Sequence, residues 1–271
     1  MASTDGTEKH GCPQCDGAEA VALDAYSTGG WRIGRCSACG FVYLLNPPDH
    51  RRLEDEFAWE KTFAAETVRR KEARPVVAAV DEGTRWRLRL FSRDRQALYR
   101  RIFAPGRVLN VGCGAKVGLP RPFIPYGIEI SRELHARAVP AFEARGGEVL
   151  FGPAAILIDR FPAGYFSGVV LSSVLEHESR AKQLLKGVAR VLSDGGVAYV
   201  RVPNFASLNR RVMGAAWCGF RYPDHVNYFT PASLRRMAAE CGLRLSLLTP
   251  MSLPFNDNIN GIMLKNVGAT G

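Results

Sequence analysis

The chain has 271 residues, of which 46% are hydrophobic, and a formal net charge of +10. That is enough apolar mass for one large folded unit, or a medium one with a small companion, and it excludes a disordered, collagen-like or low-complexity filament. No apolar run reaches the ~20 residues that cross a bilayer, and the opening MASTDGTEKHGCPQC lacks the charged-then-apolar plan of an export signal, so a cytoplasmic protein with no membrane partner is expected. Seven cysteines, an odd count, argue against a disulfide framework. The positive balance invites an anionic partner: nucleic acid, a nucleotide-linked small molecule or a charged surface.

The first element is a cysteine quartet. CPQC at 12–15 and CSAC at 36–39 give two C-x2-C pairs with twenty residues between them. Two intervening residues let both thiolates of a pair face one ion from a tight turn, and Gly17 and Gly40 supply the permissive backbone. Cys12, Cys15, Cys36 and Cys39 together satisfy a tetrahedral Zn2+ and leave no open position for chemistry. Residues 8–48 therefore read as a zinc ribbon, with VALDAY and GWRIGRC as its short strands and LNPPD closing it. A structural ion here replaces a core that so short a segment cannot build.

Residues 49–104 read as a basic helical linker. Positions 51–103 hold 14 Lys/Arg against 9 Asp/Glu, and Leu88, Phe91, Leu98 and Ile102 share one helical face. The plain reading of the charge is a solvated helical surface. From Pro105 onward strands and helices alternate. RVLNV, YGIEI, GEVLF, FSGVVLSS and GVAYVRV are the strands. A helix is expected from Ser131 to about Ala144 with Ser131 as N-cap, and another from about Ser179 to Leu192, stopped by SDGG. TPASLRRMAAECG is a third helix with Pro231 in its first turn, and LRLSLLT and NGIMLKN are two last strands. This alternation predicts an α/β fold, a Rossmann-like and mostly parallel sheet with helices on both faces, over residues 105–271.

In such a sheet a ligand sits beyond the carboxyl ends of the strands. The loop there is GCGAKV, where Gly112 and Gly114 permit a sharp turn and close approach of a ligand to the backbone. A dinucleotide fingerprint would need a glycine where Val117 stands, and a phosphate loop would need Gly-Lys-Ser/Thr. Glu129 closes the second strand, where a carboxylate can accept both hydroxyls of a ribose. A ribose-bearing cofactor without a pyrophosphate fits this pair, and S-adenosylmethionine (SAM) is one.

At this point the ordered set CPQC…CSACGFVYLLNPPD, VLNVGCG, YGIEIS, FPAGYFSGVVLSSVLEH, RVLSDGGVAYVRVPN and HVNYFTPASLRRMAAECGL resembles the class I SAM-dependent methyltransferases, in the subgroup with an N-terminal zinc ribbon. The resemblance implies a seven-stranded sheet whose last strand is antiparallel. It implies a cofactor set of Asn110, Gly112, Cys113, Gly114, Glu129, Ile130, Ala154, Ser173 and Glu176, with the glycines near the methionine part, Glu129 on the ribose and Ser172 to Glu176 on the sulfonium side. Three positions depart from the family: Asn110 stands where Asp is usual, Lys116 where a third glycine is frequent, and Pro153 near where an Asp meets the adenine amine.

Methyl transfer needs alignment, and a base if the acceptor must lose a proton. Two places offer one. Glu176-His177 follows the fourth strand; His177 reads equally as a rim residue or as a helix-start residue satisfying backbone groups. The insertion 203–229, PNFASLNRRVMGAAWCGFRYPDHVNYF, is long for a compact domain and too aromatic for disorder, so it reads as a substrate-covering wall. Within it, Tyr222, Asp224 and His225 lie together, and a carboxylate beside an imidazole suits a base near neutral pH, although sequence neighbours can diverge. This stretch is similar to the Tyr-His-Glu-His segment of sugar 3-C-methyltransferases, with Pro223 in place of the first His. Cys218 reads as a buried hydrophobe.

The leading expectation is SAM-dependent methyl transfer to a small polar metabolite, such as a sugar or natural-product intermediate, with His225 as base. An RNA methyltransferase gripping phosphates through the ribbon and TRWRLRLFSRDR is the second. A SAM-fold scaffold without catalysis is the third, since a fold alone proves no function.

Overall fold

The computed structural model describes residues 11–48, 94–248 and 256–265. Most of the basic linker, with Leu88 and Phe91, lies outside the described residues. Its end is a helix, α1 (Arg95–Ile102), capped by Asp94.

A seven-stranded sheet organises the larger part of the chain. Its strands are β4 (Arg107–Val111), β5 (Ile124–Glu129), β6 (Val149–Phe151), β7 (Phe166–Ser172), β8 (Leu192–Pro203), β10 (Leu243–Leu247) and β11 (Asn258–Lys265), in the order β10-β11-β8-β7-β4-β5-β6. β6, β5, β4, β7 and β8 run parallel, while β11 is antiparallel to both β8 and β10. This is the Rossmann-like arrangement expected, with the antiparallel last strand inserted beside the edge. Strand order reverses between β4 and β7, so a ligand crevice opens beyond Val111 and Ser172. The central strands are apolar on both faces because helices cover both: Val108, Leu109, Val169 and Leu171 are buried.

The helices that follow Asp94, Ser131, Ser207 and Thr230 start at a side-chain cap. Ser131 accepts the Leu134 N–H and begins α2 (Arg132–Glu143). α3 (Ala154–Leu157) is a single turn entered through Pro153. α4 (Ala181–Val191) turns Leu184, Leu185, Val188 and Val191 into the core. Ser207 begins α5 (Leu208–Met213), and Thr230 and Ser233 form a reciprocal capping box at α6 (Pro231–Glu240), with proline at its first turn. The SDGG stop holds, with Gly195 at φ 74°. However, Leu192 already pairs with Phe166, so β8 begins before GVAYVRV.

The second sheet was only partly readable. β1 (Ala20–Ala22), β2 (Ile33–Cys36) and β3 (Val42–Leu44) form the ribbon, and a fourth strand, β9 (Asn227–Tyr228), comes from the insertion. VALDAY is a strand only in its first half. Asp24–Tyr26 is a 3-10 turn, because Tyr26 leaves the ribbon plane to stack on Phe220 of the insertion, with ring centroids 5.0 Å apart. Among the described residues no helix is long and apolar enough to cross a membrane.

Candidate active site

The glycine loop follows β4 directly. Gly112 and Gly114 take φ of 63° and 65°, in the left-handed region where a side chain is strained. A Cβ on Gly114 would meet nothing within 4 Å, so the loop presents open backbone to a ligand. Glu129, at the end of β5, ties the loop in place: Oε2 accepts the Gly114 N–H at 2.7 Å and Oε1 the Ser131 N–H at 2.9 Å. Each carboxylate oxygen has a second lone pair, so Glu129 can hold the loop and still accept ribose hydroxyls. These residues fit an adenosyl cofactor. Cys113 turns its side chain inward, packed with Ala138, Phe142 and Val149, and burial pushes its thiol up to about 12. Lys116 is exposed, and Asn110 sits half-buried in β4 between Gly127 and Val170. Ile130 and Ala154 lie at the ends of β5 and at the start of α3, on the same rim of the sheet.

Across the crevice, the turn after β7 carries the chemistry-bearing side chains. Ser173 adopts φ 58°, a strained conformation for a non-glycine residue of the kind found at functional sites. A Cβ on Gly112 would lie 3.4 Å from Val174, so this turn abuts the glycine loop. Next come Glu176, 1% exposed, and the half-buried His177. The structure brings His225 to them from the insertion. The two imidazole centroids are 4.7 Å apart at 82°, so the two separately proposed base candidates form one cluster.

Hydrogen bonds to backbone orient both rings. His177 Nδ1 lies 2.9 Å from the Asp224 carbonyl and His225 Nδ1 lies 2.8 Å from that of Gly219. A carbonyl only accepts, so each Nδ1 carries the proton and each Nε2 the lone pair. Burial lowers His177 to about 4 and raises Glu176 to about 8, favouring the neutral form of each.

Two expectations for the insertion are corrected. Asp224 does not take the His225 Nδ1 proton; its carboxylate meets Arg221 at 3.4 Å. Tyr222 does not face the crevice with its hydroxyl, which donates to the Tyr26 carbonyl of the ribbon while burial raises its pKa. The aromatic wall is likewise turned inward. Phe205, Trp217, Phe220 and Tyr228 pack with Ile33, Val42 and Leu44 of the ribbon, because three short strands cannot bury their apolar face alone. Cys218 is exposed rather than buried, its sulfur 3.9 Å from Asp257.

Three residues that hold this arrangement were not singled out from sequence. Asn227 donates from Nδ2 to the carbonyls of Leu175 and Glu178, both at 2.8 Å, and the Val226 and Asn227 N–H groups both reach the Glu176 carbonyl. Asp257 accepts from Ser207, Asn209 and the Trp217 indole N–H, anchoring the insertion to the start of β11. Arg221 balances Asp224. Only the polarity of Asn227 between apolar neighbours hinted at any of this.

The cysteine quartet converges as its spacing predicts. Cys12 and Cys39 sulfurs are 3.5 Å apart, those of Cys15 and Cys36 3.6 Å, and all four lie within 4.8 Å of one another. Zn–S bonds of about 2.3 Å in a tetrahedron put sulfurs about 3.8 Å apart, so the quartet fits that ion. Gly40 takes φ 74°, as its turn requires, but Asp16 rather than Gly17 adopts the left-handed conformation of the first pair. Gly17 is needed for space: a Cβ there would crowd the Cys15 and Cys36 sulfurs at 3.3 and 3.4 Å.

Strand order, the glycine loop at the switch point and the carboxylate closing β5 define a class I SAM-dependent methyltransferase. Residues 84–247 match the family described as a methyltransferase domain, and the chain belongs to that family. No curated protein matches it in sequence. Among solved structures it is similar to the YcgJ protein of Bacillus subtilis, at 17% identity and TM-score 0.49, over 64% of this chain and 97% of that one. It is also similar to a SAM-dependent methyltransferase of Methanosarcina mazei, at 19% identity and TM-score 0.46, over 63% and 97%. A third is a SAM-dependent methyltransferase of Thermotoga maritima, described as a possible histamine N-methyltransferase, at 17% identity and TM-score 0.48, over 69% and 96%.

Proposed function

We propose that this methyltransferase acts on a small polar metabolite, such as a sugar or natural-product intermediate, with His225 as general base and a structural Zn2+ in the cysteine quartet. The observation that carries the reading is the His177–His225 imidazole pair, anchored on the turn after β7 whose Val174 abuts the glycine loop. The bound cofactor supplies a methyl group on a sulfonium for in-line displacement. The open space at Gly114 cradles its amino-acid end, and Glu129 holds its ribose. His225 Nε2 accepts the acceptor's proton, because Gly219 fixes the proton at Nδ1. His177, kept neutral by burial, stands edge-on to it and adds no competing positive charge.

Titration calorimetry tests the first step, and single-turnover methyl transfer the second. SAM should bind the wild-type protein and His225→Ala with affinities within a few-fold. Turnover of His225→Ala should fall by about 10²- to 10⁴-fold. A wild-type protein that binds no SAM would instead be a scaffold, and unchanged turnover in the variant would remove His225 from the chemistry.

A further inference from the structure

We propose that Glu176, His177 and His225 form a binding site for one divalent first-row transition-metal ion, distinct from the cysteine quartet. One ligand atom of each residue lies within 4.8 Å of the other two. Bonds of about 2.1 Å span ligand atoms up to about 4.2 Å apart, so side-chain shifts of less than about 1 Å close the site.

Three independent features prepare these groups for a cation. First, both imidazoles donate Nδ1–H to backbone carbonyls, Asp224 for His177 and Gly219 for His225. This is the outer-shell contact that fixes the tautomer of metal-bound histidines and leaves Nε2 as the ligand atom. Second, Glu176 Oε2 is buried and has no hydrogen-bond partner. A buried carboxyl oxygen without a donor is costly, and a cation supplies what the protein does not. Third, the ligands come from two segments locked together, since the Glu176 carbonyl accepts both the Val226 and the Asn227 N–H. Arg201 and Arg221 are the positive groups that act on Glu176. Arg221 is itself paired with Asp224, which offsets its charge.

Two imidazoles and one carboxylate suit zinc, iron, cobalt or nickel better than magnesium or calcium, and three protein ligands leave positions open. The use of an open position rests on the methyl transfer proposed above, with the ion taking over the activating role given there to His225. An acceptor hydroxyl coordinated there ionises more readily, its proton passing to solvent. Its oxygen then bonds to the methyl carbon while the carbon–sulfur bond breaks and its electron pair stays on sulfur. With the ion in place, His225 is a ligand and the ion does the activating.

The test is Co2+ titration of protein whose ribbon is already loaded with zinc, followed by visible absorption and metal analysis. The site predicts one Co2+ per chain, with weak ligand-field bands and no thiolate charge-transfer band. Glu176→Gln, which keeps the shape, and His177→Ala should each weaken uptake by about tenfold or more, with circular dichroism retained. No uptake at millimolar Co2+, uptake through sulfur, or uptake unchanged in both folded variants would overturn the site. Co2+ uptake by a protein that shows no methyl transfer would leave the site standing and defeat the functional reading instead.

Discussion

The parallel sheet and the ribbon–insertion seam are built in opposite ways. The sheet grows from neighbouring segments: helices α2, α3 and α4 follow β5, β6 and β7 along the chain, and Ser131 caps the first of them. The seam joins residues nearly two hundred positions apart. β3 pairs with β9, the Leu44 N–H reaches the Val226 carbonyl, and Arg210 reaches the Tyr26 hydroxyl at 2.9 Å. The first supplies the cofactor crevice. The second delivers His225 to it. The ribbon is thus more than an appended module. Its strands complete the sheet whose last member begins two residues after the candidate base, so under the proposed function an ion in the quartet would act at a distance on that base.

Substitutions within the seam should separate the two regions. Trp217→Ala has the largest expected effect. It empties the centre of the shared aromatic cluster and leaves the buried end of Asp257 without its indole donor, for a loss of about 3–5 kcal/mol in denaturant unfolding. The glycine loop lies outside this cluster, so SAM affinity of the folded fraction should stay within a few-fold. Asn227→Ala comes next. It leaves the carbonyls of Leu175 and Glu178 without their donor, for about 1–3 kcal/mol. Because those carbonyls flank Glu176 and His177, its methyl-transfer rate should fall further than its stability, which kinetics alongside unfolding curves would show.

What could be read beforehand follows the same division. Ser131, Thr230 and Pro231 announce helix starts because capping is a contact over three residues, and the strands announce themselves as short segments rich in Val, Ile and Leu. The quartet is legible because metal geometry imposes the spacing within each pair. β9 has two residues and no periodicity, so nothing in it marks a strand. His177 and His225 were each visible as candidates. Their meeting was not, because it depends on Asn227 and the Val226 N–H folding the insertion onto the β7 turn. Asp224 and Tyr222 misled for the same reason: adjacency along the chain suggested one cluster, while Arg221 and the ribbon backbone took them elsewhere. The aromatic residues were correctly read as ordered. They were assigned to a substrate because the ribbon's need for an apolar partner could not be seen.

The smallest effect expected is at the rim of the seam, where Glu240 accepts Gln14 from the ribbon and pairs with Lys182 at 2.8 Å and Arg236 at 3.0 Å. The Lys182 contact is the main cause of its lowered pKa. A lowered folded value means the stabilisation is present above the unfolded carboxyl value of about 4.3. It is lost as pH falls through the folded value. Glu240→Gln should therefore cost roughly 0.5–1 kcal/mol at pH 7 and progressively less below pH 4, read from unfolding midpoints across that range.

Hydrogen exchange before and after zinc removal probes the link between ribbon and active site most directly. If the ribbon completes the sheet that holds His225, removing the ion should release not only the amides of β2 and β3 but also those of Val226 and Asn227, while Val108–Val111 and Val169–Leu171 keep their protection. Loss confined to residues 11–48, with Val226 and Asn227 as protected as before, would show that the ribbon is a bystander and contradict the account.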